Sequence, residues 1–374
     1  MRILEVSESF ASGTMEIICE IAAGASARGH RVAIACGKRP ETPTDLHGHL
    51  PDDVELIELP WKDRTLRAQL EAVPALRSLA RSWRPDVIHL HSSFAGFVGA
   101  LTVAKLAPSV YTPHGYSFLA ARSFPSRGLY RAAERFVARR VTVIGAVSES
   151  EARQARGVGA RSVVMVPNGI PELDPGRLAL RGEKPPRAMP LVVSMGRIAS
   201  QRQPLATARI LQAVSDLAET LWIGGPGEDP ALAEQVQSRG IEVTGWLDRE
   251  RAVELLAEAA VLVNWSAWDS HPLAVLEAMA SDVVVVASDI EANRDLVGPG
   301  QVRATEDQGI ALLREVLTDP ERRDEMLAAQ RRRRKRFGRE RMVDEWIRLY
   351  AELAAGIRIG DGAGLGAGRP GRTA

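Results

Sequence analysis

The stretch "WSAWDSHPLAVLEAMASDVVVVASD", from Trp265 to Asp289, decides how the chain is read. Its apolar run "PLAVLEAMA" has helical character and leads into "VVVVAS", a β-branched run short enough to be a buried parallel strand. Inside the helix stands an acid, Glu277, among Leu273, Val275, Leu276 and Met279. An ionised carboxylate is costly to bury there unless something polar meets it. Two partners fit: an Arg or Lys of the core, or the hydroxyls of a ligand near the helix start.

Outward from this unit, short apolar runs alternate with helical segments, the pattern of a parallel sheet covered by helices on both faces. "RILEVSE", "RVAIAC", "DVIHLH", "SVYT" and "VTVIGAV" are the strands expected of a first domain over 1–167. Its helices include "EIICEIAAGASARG", ending at Gly29, and the segment before Pro85. A stretch rich in Pro, Gly and charge marks a linker over 168–189. The alternation restarts with "LVVSMG", "TLWIGG", "IEVTG", "VLVNW" and "VVVVAS", giving a second doubly wound domain over 190–335. Two such domains leave a cleft between the carboxyl ends of their strands, where open α/β sheets bind ligands. The reading places a terminal helix over 336–355 and a Gly-rich tail, too poor in apolar residues to fold, over 356–374.

The chain has 374 residues, 45% hydrophobic and 25% charged, which suits a globular protein of two domains. Its net charge of +1 argues against bulk nucleic-acid binding but hides an asymmetry. Residues 1–167 carry 21 Lys and Arg against 16 Asp and Glu, and the remainder 27 against 31, so the first half is basic and the second acidic. Cys19 and Cys36 lack metal-ligand spacing and read as buried thiols. No secretory leader or membrane span is recognisable, so the expected location is the cytoplasm.

Pro272 fits the first turn of the helix, where its missing N–H costs nothing. The amides of Leu273 and Ala274 would then point out of a helix start whose dipole favours an anion. Asp269 precedes that start, and Glu277 lies about 7.5 Å deeper along the axis than Pro272. Two acids thus bracket a phosphate-sized site, suited to a diphosphate flanked by sugars. "SMGRIASQRQP" ends a strand at Gly196 and supplies Arg197 and Arg202, two guanidiniums able to clamp a diphosphate. No Asp-x-Asp pair occurs, so a metal-bridged diphosphate is not indicated and no cofactor is expected.

These motifs, with "LWIGGPGEDPAL", "VPNGI" and the opening "ILEVSESFASGTMEIICEIAAGASARGHRVAIACG", resemble the successive motifs of the retaining glycosyltransferases of family 4, from Met1 to about Tyr350. The resemblance implies the GT-B fold: two doubly wound Rossmann-like domains facing across a cleft, with the C-terminal helix crossing back to the first. It implies that Glu277 binds the nucleotide ribose and that Asp269, standing where a Glu is usual, addresses the donor sugar. Arg197 matches the diphosphate-binding Arg, and Arg202 replaces a usual Lys. Gly13, expected in the turn after the first strand and in "SGTM" where the family often has a Gly pair, matches the small residue that lets the acceptor-domain loop approach the donor diphosphate. His114, in "YTPHGYSF", matches the histidine that faces the donor sugar, and Trp346, Leu349 and Tyr350 form the packing face of the terminal helix.

The implied partners are a nucleoside diphosphate sugar and a glycan acceptor, lipid-linked, in envelope or exported-polysaccharide synthesis. Arg127, Arg131, Arg135 and Arg139 recur every four residues along one helix face, which is either an anionic-membrane contact or a solvated face partly neutralised by Glu134. "RRRRKRF", at 331–337, reads as the exposed end of a helix, with no nucleic-acid recognition motif beside it. Three rivals remain open: a sugar-nucleotide epimerase, a phosphorylase, for which the second half is poor in Lys, and a non-catalytic membrane scaffold that binds nucleotide sugars. A dinucleotide oxidoreductase would need a G-x-G-x-x-G after the first strand, which the sequence lacks.

Overall fold

The first apolar run folds as strand β1 (Arg2–Ser7), with Ile3, Leu4 and Val6 fully buried. The structure, a computed structural model, describes residues 1–39, 42, 50–63, 65–121, 123–170, 187–227 and 229–360. After β1 come α1 (Ser12–Ser26), β2 (Arg31–Gly37), β3 (Glu55–Leu59), α2 (Leu66–Trp83), β4 (Val87–His91), α3 (Ser93–Thr102) and β5 (Ser109–Thr112). Then follow α4 (Ser117–Ala120), α5 (Phe124–Arg140), β6 (Val143–Ala146), α6 (Glu149–Gly157) and β7 (Val163–Met165). All seven strands pair in parallel, in the order β3-β2-β1-β4-β5-β6-β7. The chain winds outward from β1 in one direction and from β4 in the other, so the switch point lies between them. There the register sets Glu5 beside His89 and Ser7 beside His91.

The second sheet is built from β8 (Leu191–Met195), α7 (Pro204–Gln212), β9 (Glu219–Ile223), α8 (Pro230–Gln237), β10 (Glu242–Val243), α9 (Arg249–Glu258) and β11 (Val261–Asn264). It continues through α10 (Leu273–Ala280), β12 (Val284–Ser288), α11 (Glu291–Val297), β13 (Val302–Arg303), α12 (Glu306–Thr318) and α13 (Pro320–Arg334). Its order, β10-β9-β8-β11-β12-β13, again parallel, puts the switch point between β8 and β11. Both faces carry apolar cores, with Val193, Leu262 and Val285 on one side and Val192, Val263 and Val286 on the other, as expected where helices cover both faces.

The chain divides into two units. Unit 1 is residues 1–169 together with the chain from Arg339 on, and unit 2 runs from Ile170 to Gly338. The last helix, α14 (Arg339–Ala354), packs on α1 and β4 of unit 1, burying Trp346, Leu349 and Tyr350. Most of the expected linker, 171–186, and the tail from 361 lie outside the described residues.

Several expectations need correction. Gly13 is not in a turn after β1: Ala11 is already extended at the helix N-cap, so Gly13 falls in the first turn of α1. Glu134 does not neutralise the arginine face of α5. Its carboxylate is buried and accepts hydrogen bonds from Ser93 Oγ at 2.6 Å and Tyr111 Oη at 2.8 Å, because its helical position points inward. Arg131 instead lies over the Phe118 ring. The 331–337 run is not merely an exposed end either. Arg331 grips Asp282, Arg334 donates to Met279 O and Asp282, and Arg333 donates to Arg294 O and Leu296 O, tying α13 to its neighbours.

Candidate active site

In unit 2 the residues expected at the site lie on the loops that leave β8 and β11 and on α10, the helix after β11. Gly196 closes β8 with φ of 120°, a conformation that side chains rarely adopt. A Cβ there would also strike Arg202, whose guanidinium lies across the glycine. The Trp222 indole donates to Gly196 O at 2.8 Å and fixes the turn. Arg197 follows at the surface. The loop carrying Arg202 is clipped to the loop after β11 twice: Ala267 N donates to Gln201 O at 2.7 Å, and Gln201 Nε2 donates to Trp268 O at 3.1 Å.

Arg202 Nη1 donates to Asn264 Oδ1 at 3.0 Å, Asn264 Nδ2 to Asn293 Oδ1 at 3.1 Å, and Asn293 Nδ2 to Ser288 O at 2.9 Å. This chain of amides orients the guanidinium from β11, α11 and β12. Asp269 sits nearby. Its Oδ1 accepts from Ser270 N at 2.9 Å, while Oδ2 is buried and, among the described residues, has no hydrogen-bond partner. Burial pushes this carboxyl above the usual aspartate range, against the opposing charge of Arg202. An unbonded buried carboxylate oxygen is an acceptor awaiting a donor.

Helix α10 begins at Leu273, and its N-cap, Pro272, offers the first-turn amides no side-chain acceptor. Ala274 is buried and Leu273 partly so. Glu277, in the second turn, is 9% exposed, and its Oε1 accepts from Arg249 Nε at 3.3 Å and Nη2 at 3.2 Å. Of the two partners the sequence left open, the structure shows an arginine at this acid. Arg249 opens α9, was not singled out from the sequence, and is a third of the way exposed, so the pair sits at a surface rather than in the core. His271 is buried edge-on to Phe337, and burial lowers its pKa to about 3, which keeps it neutral.

In unit 1, His114 follows β5 with φ of 51°, a strained backbone for a histidine. The turn is held by Gly115 N, which donates to Glu151 Oε1 at 2.8 Å. His114 Nε2 lies 2.9 Å from His91 Nδ1, and His91 Nε2 lies 2.6 Å from Glu5 Oε2. Glu5, His89 and His91 are all fully buried. The sequence signal for them was present: an acid in "ILEVS" and two histidines in "VIHLH", polar groups in strands predicted to be buried on both faces.

Two family models cover most of the chain. The glycosyl transferase 4-like domain matches residues 12–169, and the glycosyl transferases group 1 domain matches residues 189–330. The chain belongs to the family 4 glycosyltransferases and has the GT-B fold. It is 28% identical over 231 residues to an uncharacterised 41.2 kDa protein in the cps region of Klebsiella pneumoniae, covering 58% of this chain and 63% of that one. The chain therefore spans a little under two thirds of that relative. It is 24% identical over 275 residues to the Escherichia coli UDP-Gal:alpha-D-GlcNAc-diphosphoundecaprenol alpha-1,3-galactosyltransferase, covering 67% of this chain and 70% of that one. Among solved structures, Anabaena HepE in complex with UDP and glucose superposes with a TM-score of 0.77 at 18% identity, covering 94% of this chain and all of that one.

Proposed function

We propose that this enzyme transfers a sugar, with retention of anomeric configuration, from a nucleoside diphosphate sugar to a lipid-linked glycan acceptor in polysaccharide or envelope synthesis. The observation that carries the reading is the buried, unbonded Oδ2 of Asp269 beside Arg202, just ahead of the uncapped start of α10. A diphosphate on Arg197, Arg202 and the amides of Leu273 and Ala274 would leave Asp269 to accept from a hydroxyl of the donor sugar. Glu277, which already holds Arg249, would take the ribose hydroxyls. Gly196 lets Arg202 lie close to the backbone. Within unit 1, the roles proposed are a contact with a sugar for His114 and a contact with a phosphate for Gly13.

As the anomeric C–O bond breaks, negative charge builds on the leaving diphosphate, and fixed cations and helix-start amides stabilise it. In this reading they take the place of a metal. The acceptor class is supported by the relative whose name specifies a diphosphoundecaprenol-linked substrate. Location at an anionic inner-membrane surface is supported by α5, where Arg127, Arg131, Arg135 and Arg139 are all exposed beside Phe124 at 90% and Leu129 at 71% exposure. Among the described residues no helix is long and apolar enough to cross a membrane.

The test is a panel of nucleotide sugars with and without a polyprenyl-diphosphate glycan, following nucleoside diphosphate release and the anomeric signal of the product. Acceptor-dependent release with an axial product from an axial donor is the expected result. Release that ignores the acceptor and yields free sugar would point to an epimerase-type reaction. An inverted product would end the retaining assignment.

A further inference from the structure

The buried acid and histidines of unit 1 form one donor–acceptor series. Thr112 Oγ1 lies 2.8 Å from His89 Nε2, and His89 Nδ1 lies 2.6 Å from the Tyr350 hydroxyl. That hydroxyl donates to Glu5 Oε1 at 3.1 Å. The other oxygen of Glu5 meets His91 and, through it, His114. The members come from β1, β4, β5, the turn after β5, and α14, and Trp346 packs on His89 with ring centroids 4.6 Å apart.

In this series every proton has a place. Burial alone would raise the Glu5 carboxyl, but His89 and His91 outweigh it and hold it at about 2, so it is ionised and can only accept. Tyr350 spends its single proton on Oε1, so its oxygen accepts from His89 Nδ1–H. Burial lowers His89 to about 4, leaving it neutral, and its Nε2 therefore accepts from Thr112. His91 donates from Nε2 to the Glu5 carboxylate, which leaves its Nδ1 as the acceptor that faces His114 Nε2. His114, also held neutral by burial, donates from Nε2 and keeps its lone pair on Nδ1.

We propose that Glu5 and His91 are positioning residues that fix His114 as the Nε2–H tautomer, so that His114 Nδ1 is a dedicated hydrogen-bond acceptor for a hydroxyl of the sugar substrate. The substrate half of this statement rests on the glycosyltransferase reading above; the tautomer half does not. A metal is the competing use of the same residues, because ligand atoms of Glu5, His89 and His91 lie within 4.8 Å of one another. All four ring nitrogens of the two histidines already have partners, so a cation would have to break the series.

The experiment is a two-bond proton–nitrogen spectrum of the full chain labelled with 15N-histidine, at pH 8 and without substrate. His114 should show a protonated Nε2 and a bare Nδ1. His91→Phe and Glu5→Gln should replace this with a mixture of both tautomers. Tyr350→Phe, which leaves the His91 contact in place, should keep the wild-type pattern and controls for loss of packing. A wild-type His114 protonated at Nδ1, or a pattern unmoved in His91→Phe, would overturn the proposal, as would zinc binding at one equivalent that shifts the His89 and His91 nitrogens. In the transfer assay the two relay variants should lose roughly ten- to a hundred-fold in kcat, with donor KM moving less than about three-fold. An altered tautomer with unaltered kcat would overturn the positioning role. A wild-type chain inactive with every donor and acceptor would sink the substrate reading, while the spectrum still decides the tautomer.

Discussion

Asp269, proposed to meet the donor sugar, shows how a buried acid can cost stability. Its carboxyl is raised in the folded chain, chiefly by burial. The native state therefore binds the proton more tightly than the unfolded one, and stability falls as the pH rises from the ordinary aspartate range through the native value. Asp269→Asn removes the charge without changing the shape. It should raise Tm at pH 7, narrow the Tm gap between pH 4 and pH 7, and abolish transfer; a lower Tm at pH 7 would show that Oδ2 is stabilised as an anion. Glu277→Ala should cut transfer by roughly a hundred-fold and lower stability by only about 1 kcal/mol, since Arg249 is near enough to the surface to be rehydrated. Unchanged turnover would remove Glu277 from the site. Glu277 was legible because a charge in an apolar run stands out, and Asp269 because it stands just ahead of the helix start, whereas Arg249, Asn264 and Asn293 were hidden. They lie on helices and strands where Arg and Asn are ordinary, and only the fold brings them to Glu277 and Arg202 across 28 and more positions. Glu5, His89 and His91 carry the same signal as Glu277, but each stands in a strand whose other residues are mostly apolar, and only the pairing of β1 with β4 brings them together.

Among the elements, α5 combines a buried acid with a basic, partly apolar outer face. Burial raises Glu134 to about 7, opposed by the hydrogen bonds from Ser93 and Tyr111. Since the shift is upward, stability contributed by protonated Glu134 is lost as the pH climbs from the unfolded glutamate range to about 7. Glu134→Gln should therefore stabilise the chain at pH 8 by roughly 2 kcal/mol and hardly at all at pH 4, read from denaturant midpoints at the two pH values. On the outer face, changing Arg127, Arg131, Arg135 and Arg139 to Gln should abolish sedimentation with phosphatidylglycerol vesicles, at about 1 kcal/mol per arginine. Binding that survives 0.5 M salt and the loss of all four charges would rule out an electrostatic membrane contact. Long central strands were legible as apolar runs. The sequence reading missed β3, β7 and β13, and for a physical reason: "ELIEL" is a half-exposed edge strand, and the other two are three and two residues long. Too little apolar surface is buried in such strands to leave a periodic signal.

For the whole molecule, the division at Gly169 and Gly338 means that unit 1 is assembled from two distant parts of the sequence. Composition and alternation could suggest two domains, but nothing local in "MVDEWIRLYAELAA" says which sheet it covers; that follows from Trp346 reaching His89 and from Tyr350 reaching Glu5. The helix also accounts for a tight approach, because a Cβ on Gly145 of β6 would run into the Trp346 ring and one on Gly24 of α1 into Val343. Six side chains of α14, Met342, Val343, Trp346, Leu349, Tyr350 and Leu353, are nearly fully buried. At roughly 2 kcal/mol for each, they supply on the order of 12 kcal/mol, comparable with the entire net stability of a typical domain. Residues 1–169 alone should therefore not fold, and the uncovered carboxylate of Glu5 would add to the deficit. Gly169 N donates to Met342 Sδ at 2.9 Å, so the two parts meet within unit 1 and a short linker can replace unit 2. A fusion of 1–169 through a few Gly and Ser residues to 339–360 should unfold cooperatively and protect the amides of β1, β4 and β5 from hydrogen exchange, whereas 1–169 should exchange throughout. If 1–169 proved as protected as the fusion, α14 would be an ornament on a sheet that stands without it, and the packing argument for both the terminal helix and the Glu5 series would fail together.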